Sequence, residues 1–197
     1  MSSRQTSRSG RGGALAAAVL LLCVVVPAFG EPLAAGEYEV KAAYLVNFLL
    51  FVKPVATGSQ TGRTEQVIGI LGADPFGDSF KEVEGRVIDE GGRKLRIVRF
   101  GAYDHAHDRA MRKLDLLFVA ASERRHLGPI LTALVGVPVL TGSEVDGFAE
   151  AGGMFRLLLT GSRVRWEMNR AAIAACGLTP SAQLCRTALR VIDGTPP

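Results

Sequence analysis

The sequence predicts an α/β fold: a three-layer sandwich with a mostly parallel sheet, an antiparallel C-terminal hairpin and helices on both faces. From residue 66 onward, short apolar runs alternate with helix-like segments, the pattern of strands joined by crossover helices. Two of the runs, QVIGIL at 66–71 and DLLFVAAS at 115–122, are apolar almost throughout, as strands covered on both faces are. Near the end, MFRLLLT and RVRWEMN flank Gly161-Ser162, the signature of a two-residue hairpin.

Residues 1–30 read as a secretory leader. ALAAAVLLLCVVVPAFG at 14–30 follows a start carrying Arg4, Arg8 and Arg11 and ends in Ala28-Phe29-Gly30. A cationic start, a short apolar centre and a small-x-small end are those of a signal peptide, cleaved after Gly30 or, at a second site, within LAAG at 33–36. Pro27 would break a spanning helix, and the run is short against about 30 Å of hydrocarbon; an uncleaved anchor is the alternative. Leu22 before Cys23 argues against lipid attachment. The expected mature chain, 31–197, is a single domain long enough to bury a sizeable core.

The chain holds 23 Lys and Arg against 19 Asp and Glu. Three of those arginines belong to the leader, so the mature part carries 20 against 19 and is close to neutral. It has no dense Lys/Arg tract with interleaved aromatics, which sets nucleic-acid binding aside.

Residues 37–53 read as a helix stopped by Pro54 and a Gly/Thr/Ser-rich loop at 57–64. Strand 66–71 leads into DPFGDSFKEVEG, a turn and short helix with Asp74 as cap and Pro75 in first position. RKLRIVRF at 93–100 alternates charged and apolar residues, the period of a half-exposed strand. DHAHDRAMRKL is helical, 115–122 is a central strand, and SERRHLGPILTALV is a helix capped by Ser122 in spite of Pro129. GVPVLTG is a further strand. After the hairpin, helices at 169–176 and 180–192 close the chain, with Gly177 as a stop and Thr179-Pro180 as a start. Cys176 and Cys185 flank GLTPSAQL and would face each other across that helical hairpin. A disulfide between them would contribute roughly 2 to 3 kcal/mol; two separate buried thiols is the alternative.

Motifs for bond-making chemistry are absent from the sequence. GILGADPFG has G-x-x-G spacing, without G-x-G-x-x-G and without the lysine and hydroxyl of a P-loop, so it reads as a tight strand-to-helix turn. His105 and His107 in DHAHD would point to different faces of a helix, and His126 belongs to a distant element, so no metal set is named. There is no G-x-S-x-G elbow, and Glu144 and Asp146 flank a Gly-rich bend as solvated acids. We therefore expect no catalytic residue, metal or cofactor.

Two stretches read as contact surfaces. KAAYLVNFLLFVKP at 41–54 is too short to cross a bilayer at 1.5 Å per residue, yet apolar nearly all round. Tyr44, Phe48 and Phe51 would pack on the sheet, leaving Leu45, Leu49 and Val52 on an adjoining face. That face is covered by a C-terminal helix carrying Leu184, Leu189 and Val191, by a second subunit, or by a partner. In GFAEAGGMF, Phe148 stands among Gly147, Gly152 and Gly153 as a surface anchor or as a plug for the sheet end. The contact residues expected are Leu45, Phe48, Leu49, Val52 and Phe148.

Taken together, EYEVKAAYLVNFLLFVKP at 37–54, VIGILGADPFG at 67–77, DLLFVAASERRHLGPIL at 115–131, VPVLTGSEVDGFAEAGGMFRLLL at 137–159 and GSRVRWEMNRAAIAACGLTPSAQLCRTALRV at 161–191 resemble one family, the YfiR-like periplasmic proteins. Lys53 departs from the tryptophan expected before the proline. The resemblance implies a small α/β sandwich, a homodimer, that represses an inner-membrane, YfiN-like diguanylate cyclase by binding its periplasmic sensory region. An outer-membrane lipoprotein of the YfiB type would sequester the repressor and raise cyclic di-GMP. The chain has neither the GGDEF nor the EAL signature of enzymes that make or break that nucleotide. The alternative is a periplasmic small-ligand receptor with its pocket at Gly72–Phe76.

Overall fold

A computed structural model of the 197-residue chain describes residues 31–55 and 62–193. The expected leader at 1–30 lies outside the described residues. Helix α1, Glu31–Phe51, opens the fold and passes directly into a short strand β1, Val52–Pro54. The expected helix at 37–53 thus ends two residues early. Pro54 cannot extend it, and Val52–Pro54 instead pairs antiparallel with a later strand.

The remaining strands are β2 (Glu65–Leu71), β3 (Lys94–Phe100), β4 (Leu116–Val119), β5 (Leu140–Ser143), β6 (Phe155–Thr160), β7 (Arg163–Asn169), β8 (Leu178–Pro180) and β9 (Arg190–Ile192). Seven of them form one sheet in the order β3-β2-β4-β5-β6-β7-β9, while β1 and β8 pair on their own. Pairing is parallel from β3 to β6, antiparallel between β6 and β7, and parallel again between β7 and β9. This is the expected α/β architecture with its antiparallel hairpin. The hairpin is not the sheet edge, however, because β9 adds outside it.

Two apolar cores lie on the two faces of the sheet, as a mostly parallel sheet requires. Helix α1 covers one: Phe48 stacks on Phe155 with ring centroids 4.0 Å apart, and Tyr44 meets Trp166 at 4.6 Å. Helices α2 (Asp108–Met111) and α3 (Leu127–Ala133) cover the other, with Met111 and Ile130 buried against Leu117 and Val119.

Several local expectations change. DPFGDSFKEVEG forms turns, not a helix: Asp74 Oδ1 accepts from the Phe76 N–H at 2.7 Å and closes an Asx turn. Ser122 does not cap α3; it lies in a 3₁₀ segment, Ala121–His126, and Pro129 falls in the first turn of α3, where its missing N–H has no partner to lose. At the C-terminus, Ser181 rather than Thr179 caps a helix by accepting from Leu184 N–H. That helix, α5 (Ala182–Thr187), is short, and residues 190–192 go to β9. Between them, α4 (Arg170–Ala175) is capped by Asn169.

The outer face of β6, β7 and β9 is held by charge, not by a helix. Glu167, nearly buried, accepts from Arg156 at 3.1 Å and Arg190 at 3.0 Å, and these arginines also reach Asp146 and Glu150. Burial alone would raise the Glu167 pKa; hydrogen bonds from Arg190 and Arg156, with their charge, outweigh it and hold the carboxyl below its ordinary value.

Two stability predictions follow from this packing. Phe48→Ala removes the ring that joins α1 to the sheet and should cost about 3 to 5 kcal/mol, read from denaturant unfolding with an unchanged m-value. A Glu with a depressed folded pKa contributes stability that is full above its unfolded value, about 4.3, and lost as pH falls through the folded one. Unfolding followed from about pH 6 to about pH 3 should therefore show stability falling, with a shallower fall in Glu167→Gln, which has no proton to take up.

Candidate interaction surfaces

The helix face expected to meet a partner is used inside the protomer. Leu45, Phe48, Leu49 and Val52 are all buried in the core beneath α1. Their spacing of i, i+3, i+4 and i+7 is one stripe of a helix, and the sheet takes the whole stripe. Phe51, expected to point inward, is instead 38 % exposed, and Tyr44 is half-buried. The rotation has a simple cause: Phe48 and Leu45 are in register with Phe155 and Gly142, whose bare backbone leaves room for the Leu45 methyl groups. Asn47 is half-buried and Lys53 is exposed in β1.

Phe148 is also a correction. It is fully buried in the second core, the plug and not the anchor. Gly153 explains the fit: a side chain there would run into the Phe148 ring, so only glycine allows the close approach.

A buried ion cluster, not foreseen from sequence, fixes the N-terminal half of α1. Lys41 is 3 % exposed and reaches Glu37 at 2.5 Å and Glu144 at 2.6 Å, while Tyr38 donates to Glu144 at 3.0 Å. Burial by itself lowers the Lys41 pKa; the hydrogen bonds from its ammonium to Glu144 and Glu37 reverse that and keep it charged. Glu144, expected to be a solvated loop acid, is thereby a tie between the end of β5 and α1. The i, i+4 pair of Glu37 and Lys41 was visible in the sequence; the partner 103 residues on was not.

Cys176 closes the C-terminal end of α4 and Cys185 sits in α5, both half-buried against the first core, and the two thiols are unbonded in this structure. Strand β8 runs between them, so the direct helical hairpin expected there does not form. Burial pushes the Cys176 thiol up, and hydrogen bonds from the backbone of Gly136 and Val137 offset only part of that rise, which keeps it a poor nucleophile.

In doubly wound sheets ligands bind at the strand ends where the order reverses, here after β2 and β4. That crevice is filled. The Glu123 Cγ stands 2.8 Å from where a Gly72 side chain would begin, Ser122 is closer still, and Ala73 N–H donates to Ser122 Oγ at 3.0 Å. Glu123 is 3 % exposed and accepts from Tyr103 N–H and His126 at 3.1 Å each. Desolvation would raise its pKa; the Tyr103 N–H and the His126 and Ser122 hydrogen bonds bring it below the usual range. His105 and His126 both lie against the Tyr103 ring, while His107 packs on Phe100, and among the described residues no group of three His, Cys, Asp or Glu is placed to hold a metal.

Three open surfaces stand out among the described residues. A shallow polar hollow of about 610 Å³ is lined by Asp74, Asp78, Lys81, Glu84 and Arg99, with Arg99 already paired to Asp74 at 2.7 Å. An apolar groove of about 450 Å³ separates α3 from α4 and is lined by small residues together with Leu131, Leu134, Val139 and Met154, with Cys176 at its side and Val135, 74 % exposed, among its residues. The third is the end of the β6–β7 hairpin, where Leu159 is 49 % exposed beside half-buried Leu158. Three consecutive leucines in a strand cannot all face one core, so this exposure was readable in MFRLLLT. No helix among the described residues is long and apolar enough to cross a membrane.

Comparison with known proteins agrees with this architecture. A solved structure of a conserved domain protein from Vibrio cholerae superimposes with a TM-score of 0.52 at 13 % identity, covering 78 % of this chain and 60 % of that one. The chain therefore spans about three fifths of that protein's length, and the likeness is one of fold. An ABC domain solved in complex with L-Trp from Streptococcus pneumoniae is more distant, with a TM-score of 0.48, 10 % identity and coverage of 64 % and 55 %. No curated protein sequence matches. A family described as DUF4154, YfiR/HmsC-like, matches residues 38–189, most of the chain and nearly all of the described fold. The chain belongs to the YfiR/HmsC-like family.

Proposed function

We propose that this protein is a periplasmic repressor that binds the sensory region of an inner-membrane, YfiN-like diguanylate cyclase and holds that enzyme in its inactive state. Membership of the YfiR/HmsC-like family supports reading it as a regulator of cyclic di-GMP signalling. The finer reading is carried by the extent of the match, which runs from α1 through both cores and the hairpin to the last helix. In this reading the chain loses a signal peptide at residues 1–30, acts as a homodimer and is sequestered by an outer-membrane, YfiB-like lipoprotein.

A repressor of this kind needs no reactive group. It needs a difference in affinity for two states of the cyclase's outer domain, and the equilibrium moves by that difference. A preference of roughly 3 kcal/mol changes the ratio of states more than a hundredfold. The receptor alternative draws less support, because Ser122 and Glu123 occupy the crevice beside Gly72 where its pocket was expected.

Contact residues follow the surface and not the buried stripe. Exposed apolar side chains on α1, Val40 and Phe51, and on the hairpin, Leu159, are the candidates that supersede Leu45, Phe48, Leu49, Val52 and Phe148.

Producing this protein with an inner-membrane GGDEF protein that carries a periplasmic domain should lower cellular cyclic di-GMP, and deleting it should raise the level. An unchanged level in both experiments, with the protein located in the periplasm, would sink the repressor reading. The same compartment is oxidising, so mass spectrometry of unreduced peptides from secreted protein should find Cys176 linked to Cys185. Two alkylatable thiols would show that both stay reduced.

A further inference from the structure

We propose that the outer end of the β6–β7 hairpin is a docking edge for an extended, acidic segment of the partner protein, which pairs along β7 and sets two carboxylates against Arg163 and Arg165. This deepens the repressor reading and rests on it.

The hairpin outruns the sheet on both sides. Strand β5 pairs with β6 only at Gly142↔Phe155 and Ser143↔Arg156, so Leu157–Thr160 continue past its end. On the other side β9 pairs with β7 only from Glu167 to Asn169, with one further bond from Leu189 N–H to Trp166 C=O at 2.8 Å. Arg163, Val164 and Arg165 are thus bonded to β6 on one side and, among the described residues, have no strand on the other. Backbone groups alternate between the two sides of a strand, and the Trp166 C=O already accepts from Leu189, so the groups turned to the open side are the Val164 N–H and C=O and the Trp166 N–H, a short template for adding another strand.

Side-chain alternation decides what that strand must carry. Val164, Trp166 and Met168 turn into the core under α1, which places Arg163, Arg165 and Glu167 on the outer face. Farther along this face Arg156 and Arg190 are matched by Glu167, Asp146 and Glu150. Arg163 and Arg165 are different: among the described residues neither has an acidic side chain within ion-pair distance. Arg163 is exposed, Arg165 half-buried, and their cross-strand neighbours are Thr160 and Leu158.

The hairpin end therefore presents two uncompensated positive charges, one strand repeat apart, beside an apolar side chain. A second copy of this chain aligned edge to edge would oppose arginine with arginine, which is unfavourable. An extended segment with Asp or Glu at alternate positions satisfies both the backbone edge and the guanidinium groups, each of which can take a carboxylate through two hydrogen bonds. Charge complementarity thus selects an acidic partner strand over self-association.

The test uses the whole mature protein and, as probe, the purified outer domain of an inner-membrane GGDEF protein of the same cell whose activity this protein lowers. Affinity is measured for the parent, Arg163→Gln/Arg165→Gln and Arg163→Glu/Arg165→Glu, each checked for an unchanged melting temperature. Loss of both charges should weaken binding roughly tenfold and reversal roughly a hundredfold, with the parent's affinity falling as salt rises. Amide exchange at Val164 and Trp166 should slow in the parent complex; this reading holds even where a variant folds poorly. Equal affinity of all three proteins with unchanged exchange at Val164 and Trp166 would overturn the edge assignment and leave the repressor reading standing. No binding by the parent would overturn both.

Discussion

The stack of Phe48 on Phe155, flanked by Tyr44 and Trp166, is the contact on which the rest of this structure depends. A largely parallel sheet exposes two apolar faces and is stable only when both are covered. Short helices after β3 and β4 cover one. The other is left to α1, which comes before every strand of the large sheet and must be laid across it by long-range contacts. Four aromatic rings and a stripe of aliphatic side chains accomplish that, and the same stripe is consequently unavailable to any partner.

Ionic ties then set the position of what the apolar contacts leave free. Lys41 holds α1 to the end of β5 through Glu144, Asp115 receives Arg63 through two hydrogen bonds at 2.7 and 2.8 Å, and Glu123 closes the crevice after β2 and β4. Glu167 does the same for the hairpin and β9. Breaking such a tie is costly, because losing the basic partner leaves a buried carboxylate without its counter-charge. The ties also leave little of the C-terminal end of the sheet open. The exception is the hairpin, which continues past its neighbours and ends in two arginines that have no acidic partner among the described residues.

A regulator that works by binding needs surface of this kind: accessible, charged in one sign and stiffened from behind by a core. The apolar groove between α3 and α4 has the volume of a ligand site, but apart from Thr132, Thr141 and Cys176 its side chains are apolar and offer few polar groups to fix an orientation. Family membership, the filled crevice and the open hairpin edge point in the same direction, toward recognition of another protein.

Much of this was legible in the sequence because it depends on local pattern. Apolar runs marked β2 and β4, alternation marked β3, and Gly161-Ser162 marked the β6–β7 turn to the residue; the order and spacing of five segments pointed to the family that residues 38–189 match. What the sequence could not determine is which side of an all-round apolar helix faces inward. Leu45, Phe48, Leu49 and Val52 and the competing face through Tyr44 and Phe51 have similar hydrophobicity, so periodicity gives no preference. The choice was made by Phe155 and Gly142, about a hundred residues away, and the same is true of Phe148 against Gly153 and of Lys41 against Glu144. Tertiary structure decides these because a side chain's burial depends on the shape of what comes to meet it, and that shape exists only once strands distant in the chain lie side by side.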